Sequence, residues 1–213
     1  PRLLGWSDDR VSARVTELLE LFQLDPGLYA AKFPHELSGG QQQRVGVARA
    51  LAAKPNVLLM DEPFGALDPI IRTKAQDDLL GIQRRFGTTI ILVTHDIDEA
   101  FRLGDRVAVM SHGRLLQHDR PAVLLTQPAD PFVAQLTGSG DKSLKLLSLT
   151  TAGEVAEPGN VAGPTVPWWL TLRDVLAELV WSGAAAATII GPEGNPVGHV
   201  TLASLLARGR QAT

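Results

Sequence analysis

Val57-Leu58-Leu59-Met60-Asp61-Glu62-Pro63 is the stretch on which the fold turns. It is four apolar residues entered from Lys54-Pro55-Asn56 and left through a proline. Such a run reads as a strand buried on both faces, the pattern of a parallel sheet. A second run, Thr89 to Val93, has the same character and ends in Thr94-His95-Asp96. Between the two, Asp68-Pro69 is an N-cap followed by proline at the first helical position, and the helix is expected to reach Phe86.

The pattern continues outward in both directions. Val11, Val15, Leu18, Leu19 and Phe22 recur at helical spacing over 8–24, and Asp25-Pro26-Gly27 breaks that helix. A further helix is expected over 40–53. Downstream, Asp96 caps a helix with Asp98 and Glu99 in its first turn, where the helix dipole favours them. Residues 107–110 and 114–117 read as a hairpin around Ser111-His112-Gly113. Helices alternating with buried strands predict an α/β domain with a mainly parallel sheet. That domain is expected to cover 1–137. Gly138-Ser139-Gly140 reads as a linker signal, and 138–166, rich in Gly, Pro and Ala, as a linker or degenerate repeat. In 167–213 a helix capped by Thr171, strands at 186–190 and 197–200 and a last helix from Thr201 predict a small α+β unit of βαββα type.

Composition narrows the function. The chain has 213 residues, 45% of them hydrophobic, enough for a packed core. A net charge of −3 gives no electrostatic footprint for nucleic acid. With no cysteine there is no disulfide, thiolate metal site or cysteine nucleophile. No apolar run reaches the roughly 18 residues that span a bilayer. Trp168, Trp169 and Trp181 read as core or interface residues, and His35, His112, His118 and His199 as surface or turn residues without metal-ligand spacing.

Ligands of open parallel sheets bind beyond the carboxyl ends of the strands. There the two runs deliver Asp61 with Glu62, and His95. Asp61 suits Mg²⁺ held largely through water. Glu62 can orient or deprotonate an attacking water, and His95 can contact a terminal phosphate or that water. A solvated acidic turn and a helix flank are the plain alternatives. A third segment, Leu37-Ser38-Gly39-Gly40-Gln41, opens a helix with small residues, which is the chemistry of a phosphate cradle. Yet no lysine follows a glycine, so the sequence contains no G-x-x-x-x-G-K-[ST] nucleotide loop.

LSGGQ, VLLMDEP, GALD and THD, in this order and spacing over residues 8–136, resemble the ATP-binding cassette ATPases, the motor subunits of ABC transporters. The resemblance implies a P-loop NTPase fold, of which this chain carries the C-terminal part. It implies ATP and Mg²⁺ as cofactors. Ser38, Gly39, Gly40 and Gln41 would belong to the signature motif, Asp61 to Walker B, Glu62 would be the catalytic glutamate, Asp68 would close the D-loop, and His95 would be the switch histidine. In that family two cassettes sandwich two ATPs, and the signature loop of one closes on the γ-phosphate held by the other. The P-loop is then expected before residue 1, and this chain alone is expected neither to bind nor to hydrolyse ATP.

QQQRVGVARAL, MDEPFGALDP and THDIDEA resemble bacterial importers. A CBS-like tail at Thr171 to Leu206, closing on Gly198-His199-Val200-Thr201, together with LKLLSL at 144–149, resembles the glycine betaine, choline and proline class of osmoprotectant importers. Implied partners are a second cassette, a transmembrane permease and, indirectly, a substrate-binding protein, at the cytoplasmic face of the inner membrane. Two other readings differ in class: a non-catalytic regulatory or dimerisation fragment that pairs with an intact cassette, and a soluble ABC protein acting on ribosomes or DNA. Charge and the CBS-like tail count against the last.

Overall fold

The computed structural model describes residues 1–65, 67–138 and 140–210. Ala66 of the GALD segment, Ser139 of the linker triplet and 211–213 of the tail therefore lie outside the described residues. The chain forms two compact units, Pro1–His95 and Asp96–Thr213.

The first unit contains α1 (Asp8–Leu21), α2 (Pro26–Tyr29), α3 (Gly39–Leu51), β1 (Val57–Asp61), α4 (Pro69–Phe86) and β2 (Thr89–Val93). α1 starts where Ser7 accepts the Arg10 N–H, with Asp8 and Asp9 in the first turn. It stops short of residue 24 because Gln23 takes a left-handed backbone, φ 57°. Asp25-Pro26-Gly27 does more than break the helix: the Asp25 carboxylate caps α2, with Pro26 at its first position. Asp68 caps α4, which ends at Phe86 before left-handed Gly87.

β1 and β2 pair in parallel, with Leu58 opposite Ile90 and Asp61 opposite Val93. Burial on both faces does not hold. Leu58 is 5% exposed and packs with Leu18, Leu19, Phe22, Ala48, Leu51 and Ile82. Leu59, on the opposite face, is 72% exposed, and Val57, Ile91 and Val93 stand exposed beside it. The reason is the extent of the sheet. Among the described residues it has two strands, and the helices pack on one side of it, so the period-2 alternation of side chains leaves the other side bare.

One charged residue enters this core. Arg14 is 5% exposed. Its Nη2 donates to the Leu51 carbonyl at 3.0 Å and its Nη1 lies 2.8 Å from Glu17 Oε2. Its guanidinium carbon sits 5.6 Å from the Phe86 ring centroid. The hydrogen bond from Arg14 holds the Glu17 carboxyl below its ordinary value of 4.5, against an opposing push from partial burial. A depressed folded-state pKa means that the stabilisation is complete above 4.5 and is lost as pH falls through the lowered value. Glu17→Gln should therefore lower stability in the neutral region and flatten the acid limb, so that variant and parent converge as pH falls below 4.5. Urea midpoints across that range check this.

The second unit contains α5 (Ile97–Leu103), β3 (Val107–Ser111), β4 (Arg114–Asp119), α6 (Pro121–Thr126), α7 (Pro131–Thr137), α8 (Lys142–Ser148), α9 (Ala152–Val155), β5 (Thr165–Pro167), α10 (Leu172–Ser182), β6 (Ala186–Ile190), β7 (Pro196–Thr201) and α11 (Leu202–Arg210). β3 and β4 form the expected antiparallel hairpin, turning through left-handed His112 and Gly113. β6 pairs in parallel with β5 and antiparallel with β7. The class is α/β, built from small sheets that mix both pairings.

Phe101, Val109, Leu124, Leu125 and Val133 form one cluster, and Leu146 and Leu149 of the α8 region pack against it. The apolar packing of this unit thus continues past residue 137. Lys145, largely buried, lies 3.4 Å from Asp98 and 3.6 Å from Asp141, and donates to the Thr137 carbonyl. A second cluster joins Leu147 to Val166, Leu172, Val175, Leu179, Ile189, Val200 and Leu205. The aperiodic stretch 151–167 hides a one-turn helix and β5, and β5 completes the βαββα order. The three tryptophans of this unit are not core: all are exposed, Trp181 to 91%. His199 is half-buried within β7 rather than at the surface.

Candidate functional site

The ends of β1 and β2 lie side by side, so the residues just beyond them are neighbours. The Glu62 N–H donates to the Val93 carbonyl at 2.8 Å, extending the ladder by one bond. Glu62 itself has a left-handed backbone, φ 44°. This turns its side chain towards the residues after β2, and Oε1 lies 3.1 Å from His95 Nδ1. With Glu62 ionised, the Nδ1–H donates and leaves Nε2 free as an acceptor. Both side chains are exposed. The two segments that deliver them are 33 residues apart in sequence, and the parallel register alone brings them together.

Asp61 is the last residue of β1 and exposed, and its carboxylate makes no hydrogen bond or ion pair among the described residues. A single free carboxylate beside a strand end fits Mg²⁺, which keeps most of its ligands as water or substrate phosphate. No group of three or more ligating side chains exists among the described residues. A dedicated protein cage is therefore not what the site offers.

Ser38 caps α3. Its Oγ accepts the Gln41 N–H, while Gln41 Oε1 accepts the Ser38 N–H at 2.9 Å. This reciprocal box leaves the Gly39 and Gly40 N–H groups at the open end of the helix without intrahelical acceptors. A side chain added at Gly39 would meet nothing within 4 Å, so the backbone there is open to approach. The Ser38 hydroxyl can still donate. Together these are three donors at the positive end of a 13-residue helix, suited to an anion.

Gln41 belongs to the segment expected to cradle a phosphate, but its side chain is engaged. Nε2 donates to the Tyr29 hydroxyl at 3.1 Å. The next two glutamines are engaged as well. Gln42 Nε2 donates to the carbonyls of Pro34 and Leu37, and Gln43 Nε2 to that of Pro63. Steps of about 100° per residue send three successive side chains to three different neighbours. Tyr29, Gln42 and Gln43 thus fasten the segment around Ser38, contacts that the motif does not reveal. The run Gln41-Gln42-Gln43 at a helix start was the available signal. Gln43 also ties α3 to the turn that carries Glu62. Asp68 accepts the N–H groups of Ile70 and Ile71 through Oδ1, so one oxygen is a helix cap and the other is available.

The family model described as ABC transporter matches residues 5–65. The chain belongs to the ATP-binding proteins of the ABC transporter family. A glycine betaine uptake system ATP-binding protein, YehX of Escherichia coli (strain K12), is 45% identical over 207 residues, covering 97% of this chain and 67% of the relative. The osmoprotectant import ATP-binding protein OsmV of Salmonella typhimurium is 46% identical over 202 residues, or 94% and 52%. The carnitine transport ATP-binding protein OpuCA of Listeria monocytogenes is 50% identical over 138 residues, or 65% and 34%. The solved structure of cbiO1 from Clostridium perfringens, part of the ABC transporter complex cbiONQ, superposes with TM-score 0.50 at 32% identity, covering 58% of this chain and 49% of that one. The chain thus spans from one third to two thirds of the length of the curated relatives named here.

Proposed function

We propose that this chain is part of the ATP-hydrolysing subunit of a bacterial importer for an osmoprotectant such as glycine betaine, choline or proline. The observation that carries the chemistry is the Glu62–His95 pair at 3.1 Å beyond two parallel strand ends, in one unit with an anion-ready helix start at Ser38. The solute class is supported by the relatives, three of which are uptake proteins for such compounds.

Within this reading the residues divide the work. Asp61 would hold Mg²⁺, which neutralises phosphate charge when bound. Glu62 orients the attacking water and accepts its proton. His95 holds the Glu62 carboxylate in place and presents Nε2 outward. Ser38 Oγ–H and the Gly39 and Gly40 N–H groups donate to the terminal phosphate of a nucleotide held by the opposing cassette. Gln41 shapes that loop, and Asp68 fixes the start of α4 beside it. The partners are a second cassette, a permease and, through it, a substrate-binding protein. The place is the cytoplasmic face of the inner membrane, held there by the permease, since no described helix is long and apolar enough to cross a membrane. The motif-bearing part ends near 137, 138–166 connects it to the tail while lending Leu147, Ala152 and Val166 to the tail's core, and 167–213 is a CBS-like unit whose βαββα order takes its first strand from β5.

These 213 residues contain no nucleotide-anchoring loop, so alone they neither bind nor hydrolyse ATP. Calorimetric titration of MgATP into this chain and into the full-length protein tests that. Heat of binding is expected from the full-length protein only. Stoichiometric binding to the 213-residue chain would overturn the assignment of the anchor to another segment. Absence of hydrolysis by the full-length protein would overturn the function.

A further inference from the structure

Glu62 stands in a conformation that its own sequence disfavours twice. It carries a β-carbon at φ 44°, and it precedes Pro63. A proline ring crowds the residue before it and pushes that residue towards extended backbone. Left to local preference, Glu62 would straighten and carry its carboxylate away from His95. Residues in such conformations persist where the surrounding structure fixes them. On the upstream side the Glu62 N–H donates to the Val93 carbonyl at 2.8 Å. On the downstream side the Gly65 N–H donates to the Glu62 carbonyl at 3.3 Å, a long bond that lies within the turn and moves with it.

Gln43 reaches the turn from outside it. Its Nε2 donates to the carbonyl of Pro63, the residue next to Glu62. The amide faces the turn this way round because a carbonyl accepts and does not donate. The proline ring locks φ of Pro63, so holding its carbonyl holds the residue as a block. The element that supplies the tie is rigid. α3 buries Ala48 and Leu51 in the core of its unit, and Arg44 Nη1 donates to the Phe22 carbonyl at 3.2 Å. Farther along, Phe64 is 3% exposed, and Arg72 Nη2 donates to the Leu67 carbonyl at 3.1 Å. These anchor the turn beyond Pro63. Gln41 and Gln42, the neighbours of Gln43 on α3, direct their Nε2 groups elsewhere, to Tyr29 and to the carbonyls of Pro34 and Leu37.

We infer that Gln43 is a positioning residue for the reaction: by holding the Pro63 carbonyl it keeps Glu62 in the left-handed conformation that sets its carboxylate 3.1 Å from His95. The inference rests on the role proposed above for Glu62. Gln43 acts through the turn and touches no reacting atom. Losing its donor lets the carboxylate drift from the attacking water, and a misplacement of this kind costs about 10- to 100-fold in rate. Nucleotide affinity holds, because the donors at Ser38, Gly39 and Gly40 stay in place.

Four variants of the full-length protein test this. Gln43→Met keeps the length and the helix propensity and removes the donor. Gln43→Glu keeps the shape with acceptors only, and so repeats the loss by a different chemistry. Gln43→Lys restores a donor. Gln42→Met changes the neighbour that faces away. Gln43→Met and Gln43→Glu are expected to lower kcat about 10- to 100-fold with KM for MgATP nearly unchanged, and Gln43→Lys to recover most of that loss. Ring-labelled histidine gives the readout that a loosened helix would not move. The His95 resonances should shift in Gln43→Met towards their positions in Glu62→Ala, and stay with the parent in Gln43→Lys and Gln42→Met. Unmoved His95 resonances in Gln43→Met, or an equal loss of kcat in the Met and Lys variants, would overturn the positioning role. If Gln43→Met turns over normally while Glu62→Gln does not, Gln43 is no positioning residue and the role of Glu62 stands. If Glu62→Gln also turns over normally, the reading beneath fails and this one with it.

Discussion

Glu62→Gln in the full-length protein is expected to lower ATP turnover by about 100-fold or more, the range for removing a positioned general base. The amide keeps the size and most of the hydrogen-bonding shape of the carboxylate but cannot take a proton from water. Binding should survive, because the donors at Ser38, Gly39 and Gly40 are untouched. The variant should therefore accumulate as a nucleotide-bound dimer, visible as a MgATP-dependent doubling of mass by light scattering. Single-turnover measurements give the sharper reading: the chemical step should slow while nucleotide affinity holds. Normal turnover would remove Glu62 from the proton-transfer role and leave the site an acidic turn next to a histidine.

The second large effect concerns stability. Arg14→Ala is expected to cost about 1–3 kcal/mol, the penalty for leaving a buried acceptor without its donor. Three things go at once. The Leu51 carbonyl, at the end of α3 where carbonyls lack intrahelical partners, loses its donor. Glu17 loses the hydrogen bond that depresses its pKa. The space under Phe86 empties. Set against a typical domain stability of about 5–15 kcal/mol, this is a large fraction. Arg14→Lys should restore only part of it, since an ammonium cannot reach both acceptors with a planar fork. Hydrogen exchange of the α1 and α3 amides checks the size, and unchanged protection in Arg14→Ala would show that the network contributes little.

Much of this was written in local sequence. The Asp68-Pro69 start of α4, the Asp96 cap of α5 and the Thr171 cap of α10 are short-range chemistry, and each appears where its residues put it. The convergence of Glu62 and His95 was legible too, because two strand-ending motifs in a parallel pair must meet at the same sheet edge. What local pattern could not show was coverage. Leu58 and Leu59 have the same composition signal, yet one is buried and the other bare, because coverage depends on how many strands and helices surround the run. Trp181 shows the same limit: its type fits core or interface alike, and only the fold puts it on the bare side of α10. The glutamine fasteners were hidden differently, since a polar run at a helix start looks like solvent-facing surface until its acceptors are known.

The left-handed backbone at Glu62 sets chemistry against the fold at a single residue. A residue with a β-carbon sits there at a cost of about 1–2 kcal/mol, which glycine avoids and asparagine or aspartate reduces. Selection for thermal tolerance alone would thus drive this position away from glutamate, while selection for turnover would hold it. If Glu62 has the role proposed for it, a library screened under the two pressures should split at residue 62 before almost anywhere else in the first unit, and agreement between the screens there would argue against that role.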